Sequence, residues 1–105
     1  MKAIVVITTT ETCDQAEKIA QVLVAGELAA CVQILPPMTS VYRWQGQIEK
    51  NTEHLLLIKT LHGCYAQVEA AIKANHTYQT PEIIALPVET GAADYLAWLT
   101  QTIKN

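Results

Sequence analysis

Residues 39–60 read TSVYRWQGQIEKNTEHLLLIKT, and this stretch decides the fold. Ser40, Tyr42 and Trp44 fall on one face by the period of two that governs extended chain. Gln45-Gly46 predicts a two-residue hairpin turn, because glycine tolerates the positive φ such turns require. The return strand, 47–60, ends in the apolar run Leu55-Leu56-Leu57-Ile58. The hairpin is long for a chain of 105 residues. Its outer half extends past the helices available to cover it, and a partner chain is the natural cover.

Working outward, residues 2–9 are β-branched and nearly all apolar, which predicts a strand covered on both faces. Thr12-Cys13-Asp14-Gln15 fits a capping box, with the Thr12 hydroxyl taking a backbone N–H and Gln15 reaching back. Ala16, Ile19, Ala20 and Leu23 then share one helical face, and Gly26 suits the left-handed position that ends a helix. Residues 29–35 read as a second strand. Pro36-Pro37 cannot donate ladder hydrogen bonds, so they bend or interrupt it at an edge.

Downstream of the hairpin, residues 64–75 predict a helix with Tyr65, Val68 and Ile72 on one face. Residues 76–81 form a loop, and 82–88 a strand whose Pro87 marks an edge or an end. Residues 91–104 predict a last helix carrying Tyr95, Leu99 and Ile103. Asp94 in its first turn and Lys104 in its last suit the helix dipole. The order β, α, β–β hairpin, α, β, α is α+β: one domain over 1–105. It is a ferredoxin-like split βαβ sandwich with a long β-hairpin and an added C-terminal helix.

Composition bears on what covers the outside. Half of the residues are hydrophobic and 16% are charged, against about 25% charged in a typical soluble domain. A chain this short buries only about two-thirds of its extended surface. Self-association is therefore expected. The net charge of −3 and pI near 5.5 exclude a phosphate-backbone binder, which needs a basic face. The apolar runs 3–7 and 55–58 fall far short of the roughly 20 residues of a membrane span. The first is also too short for an export leader. Three widely spaced cysteines, Cys13, Cys31 and Cys64, make neither a zinc pattern nor a disulfide framework. A reduced, cytoplasmic location is the expectation.

No phosphate loop, dinucleotide fingerprint, zincin motif or nucleophile elbow occurs, so no enzyme is expected. His76 is the histidine of interest, in a loop with Tyr78, Gln79, Pro81 and Glu82 where polar groups converge; a ligand role and a structural hydrogen bond are both open. Lys59, costly to bury alone, should reach solvent or meet Glu82 or Glu53. Tyr42 and Trp44 are expected at an interface, since each ring carries a polar tip. Cys31 reads as a small core residue. Cys13 and Cys64 lie near helix starts, where the dipole favours thiolate, although Glu11, Asp14 and Glu17 oppose this at Cys13.

Five segments in register carry a resemblance. They are Ala29-Ala30-Cys31-Val32-Gln33-Ile34, Ser40-Val41-Tyr42-Arg43-Trp44-Gln45-Gly46, Ile58-Lys59-Thr60, His76-Thr77-Tyr78-Gln79-Thr80-Pro81-Glu82-Ile83 and Tyr95-Leu96-Ala97-Trp98. Together they resemble the CutA divalent-cation tolerance family over essentially the whole chain. The resemblance implies a tight homotrimer similar to PII signalling proteins. It also implies a cytoplasmic protein tied to tolerance of copper or another divalent metal, with no catalytic reaction and no organic cofactor. The family's proposed copper ligands fall on Thr8, Asn75 and His76, and only His76 matches. Thr77 stands where the family usually has proline, and Gln33 where it has asparagine. The resemblance thus implies metal binding with His76 as the remaining ligand. The alternative is a signalling trimer that binds a small molecule or protein at subunit junctions, with Tyr42, Trp44, Lys59, Tyr78 and Glu82 as interface or pocket residues.

Overall fold

The β-branched run near the start forms β1 (Ala3–Thr10), one of the two inner strands of the sheet. The computed structural model describes residues 2–103; Lys104, expected in the last helical turn, lies outside them. The further elements are α1 (Cys13–Ala25), β2 (Cys31–Ile34), β3 (Met38–Trp44), β4 (Gln47–Leu61), α2 (Tyr65–Ala74), β5 (Ile83–Pro87) and α3 (Ala93–Thr102). A short 3-10 turn, His62–Cys64, precedes α2. The strand order is β2-β4-β1-β5, every pair antiparallel, and β3 pairs with the outer half of β4. This is the ferredoxin-like arrangement, with the long hairpin and added C-terminal helix that the sequence predicts.

Strand periodicity sorts the sheet into two faces. On one, Ile4, Val6 and Thr8 lie across from Thr60, Ile58 and Leu56. They pack with Ala16, Ile19 and Leu23 of α1 and Val68 and Ile72 of α2 in one buried core. Each fully buried aliphatic side chain contributes about 2 kcal/mol. The other face carries Val5 and Ile7, which are only half-buried, so within the chain β1 is not fully covered on both faces as expected.

Pro36-Pro37 interrupt an edge, as expected. The Leu35 N–H still reaches the Leu55 carbonyl at 2.9 Å, and pairing with β4 resumes at Met38, opposite Glu53. Residues 29 and 30 are buried but precede the strand, which begins at Cys31.

The ends of α1 follow the capping rules with two corrections. Thr12 caps the helix, its hydroxyl accepting from the Gln15 N–H at 3.1 Å. The Gln15 side chain does not return to Thr12; its amide donates to the Asn75 carbonyl and ties the start of α1 to the end of α2. At the other end, Gly26 sits at φ −82, and Glu27 takes the left-handed position at φ 59. The Glu27 and Leu28 N–H groups close onto the Val24 and Leu23 carbonyls at 3.1 and 3.0 Å, which is the Schellman pattern one residue later than expected. A side chain held at positive φ is strained, so Glu27→Gly should raise stability by about 0.5–1 kcal/mol in urea unfolding. An unchanged midpoint would show that the cap bears no such strain.

Candidate site: a pocket at the end of the open sheet face

The hairpin turn builds one wall of the site. Gln45 and Gly46 adopt φ 51 and φ 79, the two positive values of a type I′ turn. This turn sets Trp44 opposite Gln47 and Tyr42 opposite Glu49. By the same alternation Tyr42, Trp44 and Glu53 share a face. The Tyr42 hydroxyl accepts from the Asn51 amide, which steadies the ring. Residues 77–82 close the opposite side. The result is a pocket of about 410 Å³ whose lining includes Tyr42, Trp44, Glu53, Tyr78 and Glu82.

Tyr78 and Glu53 join the two walls. The Tyr78 hydroxyl donates to Glu53 Oε2 at 2.8 Å. Glu53 is only 7% exposed, yet among the described residues the one ion pair is Lys73–Glu69. Burial, the hydrogen bond to Glu53 and its negative charge push the Tyr78 pKa well above the usual tyrosine range. A raised folded-state value means stability that is intact below the ordinary pKa of 10.0 and lost as pH climbs past it. Near pH 10 the ultraviolet ionisation amplitude of the wild type should therefore match that of Tyr78→Phe. A larger wild-type amplitude there would show Tyr78 free to ionise.

His76 stands behind this wall. Its Nδ1 accepts from the Tyr78 N–H at 3.0 Å. An acceptor Nδ1 leaves the proton on Nε2, which donates to the Thr9 carbonyl at 2.7 Å. Both ring nitrogens are engaged, and the ring lies 4.6 Å from that of Tyr78. The Asn75 amide donates to the Ala71 carbonyl at 2.8 Å. The Thr8 hydroxyl is buried and makes no hydrogen bond. Hydroxyl and carboxamide are weak copper ligands beside thiolate and imidazole. Among the described residues, no three His, Cys, Asp or Glu side chains gather as a metal would need. The residues at the family's copper positions do not fit the metal.

The remaining expected residues separate from this centre. Lys59 meets neither Glu82 nor Glu53; its Nζ donates to Gln33 Oε1 at 2.6 Å. Cys31 is half-buried across from Lys59 rather than a core residue, and Cys64 is buried. At Cys13, slight desolvation, the Glu17 carboxylate that accepts its S–H at 3.6 Å and the charge of Asp14 raise the thiol pKa.

The pocket opens at the end of a wider apolar surface. The uncovered sheet face carries Val5 and Ile7 of β1, Leu55 and Leu57 of β4, and Ile84 and Leu86 of β5, the last two 51% exposed each. Among the described residues no helix is long and apolar enough to cross a membrane.

Reasoning from sequence grouped Tyr42, Trp44, Lys59, Tyr78 and Glu82 as interface or pocket residues; Tyr42, Trp44, Tyr78 and Glu82 line one pocket, and Lys59 lies apart from them, bonded to Gln33. It weighed Glu53 only as a partner for Lys59. The available signal was period two: counting back from Leu57 and Leu55 puts a carboxylate in line with an apolar face.

Comparison with known proteins gives the family and the fold. The family model described as CutA1 divalent ion tolerance protein matches residues 4–102. A divalent-cation tolerance protein CutA of Thermus thermophilus is 44% identical over 92% of this chain and 94% of its own length. The chloroplastic protein CutA of Arabidopsis thaliana is 40% identical, and the chain spans 57% of that longer relative. The Thermus thermophilus divalent cation tolerance protein structure superposes with a TM-score of 0.95 at 42% identity, covering 97% of this chain and 99% of that one. CutA1 of Oryza sativa gives 0.96 at 38% identity, covering 99% and 95%.

Proposed function

The chain belongs to the CutA1 divalent ion tolerance protein family, and from that premise we propose that it serves cation tolerance as a homotrimer that binds a small solute rather than as a metal chelator or an enzyme. One observation carries the reading: the pocket pairs a buried carboxylate with aromatic walls, while both nitrogens of the one matching metal-ligand residue, His76, are already committed. The apolar sheet face supports the trimer, because Ile84 and Leu86 lie exposed beside half-buried Val5 and Ile7. The pocket lies at the end of that face, which supports a position at a subunit junction in such an assembly. The scattered cysteines support a reduced, cytoplasmic setting; the Archaeoglobus fulgidus relative is described as periplasmic.

Two titrations test this. Calorimetry with Cu(II), Cu(I) and Zn(II) should show no site tighter than about micromolar, roughly −8 kcal/mol. A thermal-shift screen of small metabolites should find a ligand, with about 2.7 kcal/mol of stabilisation at 100 times its Kd. Tight metal binding lost in His76→Ala would reverse the reading in favour of chelation.

A further inference from the structure

We infer that the pocket takes a small organic ammonium ion, a primary or quaternary amine on a carbon body. This rests on the pocket reading above and names its ligand class. The argument begins with charge. Glu53 is 7% exposed and lines the pocket together with Glu82. Tyr78 gives Glu53 a hydrogen bond at 2.8 Å, but a hydrogen bond leaves the charge in place. A buried carboxylate is costly unless a cation meets it.

Among the described residues no cation is ion-paired with it. Arg43 lies opposite Ile48, and Lys50 opposite Val41. By strand alternation these positions sit on the face away from Tyr42, Trp44 and Glu53. Lys59 is engaged with Gln33 at 2.6 Å. The pocket therefore holds unbalanced negative charge.

The walls choose among cations. A hydrated metal ion wants several oxygen or nitrogen donors around it, and no three-residue His, Cys, Asp or Glu cluster exists among the described residues. The walls instead offer the rings of Tyr42, Trp44 and Tyr78. Aromatic faces attract ammonium groups and their attached methyl or methylene groups. Apolar walls with a few placed polar groups are the usual makeup of a small-molecule site, and about 410 Å³ accommodates an ion of this kind.

The test is calorimetric titration of the whole protein, in its native assembly and at fixed ionic strength, with choline chloride and with 1,4-diaminobutane. The control is 3,3-dimethyl-1-butanol, the uncharged carbon analogue of choline. At least one ammonium probe should bind, and the neutral alcohol should bind at least tenfold more weakly. Glu53→Gln should abolish that preference. Trp44→Leu, which keeps an apolar side chain at this position, should weaken ammonium binding about tenfold while the fold stays intact by circular dichroism. Equal binding of choline and the alcohol would overturn the charge inference and leave the pocket reading standing. If no probe binds and Glu53→Gln changes the oligomeric mass, a neighbouring subunit's side chain fills the pocket, and both readings fall.

Discussion

Leu86→Asp should sediment as single subunits of 11.6 kDa at concentrations where the wild type sediments at three times that mass. Leu86 is 51% exposed in the isolated subunit and lies opposite Val5 on the edge strand β5. With Ile84, Ile7 and Leu57 it forms a continuous apolar strip. Within one subunit the new carboxylate stays in water, so the subunit should fold with nearly unchanged stability. Within a seam between copies it loses water without gaining a cation, which costs several kcal/mol per site. A closed trimer incurs that cost three times, more than enough to dissociate an assembly at micromolar concentration. An unchanged mass for Leu86→Asp would show that this face is not the seam. Lys59 supplies an internal control: it lies on the same face but is already bonded to Gln33, so Lys59→Met should leave the mass at the trimer value.

That face explains what the sequence could and could not convey. The order of elements was legible because each segment has its own period and punctuation: two for residues 39–44, helical spacing for Ala16, Ile19 and Leu23, and Gly46 at the turn. The core was legible for the same reason. Registers one residue off were not. Gly26 advertises a helix end, but the closing hydrogen bonds run from Glu27 and Leu28, and either residue could have taken the left-handed position from local signals alone. Gln15 has a capping partner three residues back, yet its amide finds the Asn75 carbonyl, a contact sixty residues away that no local pattern encodes. The apolar content of β1 suggested two covered faces, whereas within the chain Val5 and Ile7 on the second face stay only half-buried. Nothing in a single strand distinguishes cover by a helix of the same chain from cover by a neighbour. The pocket was half legible. Tyr42 and Trp44 announce themselves as aromatic residues at period two, whereas the Glu53–Tyr78 bond depends on how the loop 76–82 folds over the hairpin.

His76→Phe should cost about 2–3 kcal/mol of folding stability while leaving divalent-metal titrations unchanged. The ring binds two backbone groups from different parts of the chain: the Thr9 carbonyl at 2.7 Å and the Tyr78 N–H at 3.0 Å. Phenylalanine fills the same space, so the loss is confined to two hydrogen bonds, each leaving a shielded polar group unsatisfied at about 1–2 kcal/mol. Thr9 is 4% exposed, so water cannot replace the imidazole there freely. The damage should also spread along the loop. Released from His76, Tyr78 loses the support that aims its hydroxyl at Glu53, and solute binding in the pocket should weaken as well. His76→Gln separates this account from chelation: its carboxamide can donate at one end and accept at the other, so it should recover part of the stability lost in His76→Phe. A carboxamide does not restore an imidazole ligand to copper. If instead metal affinity collapses in both variants while stability holds, His76 is a ligand after all and the loop is held by something else.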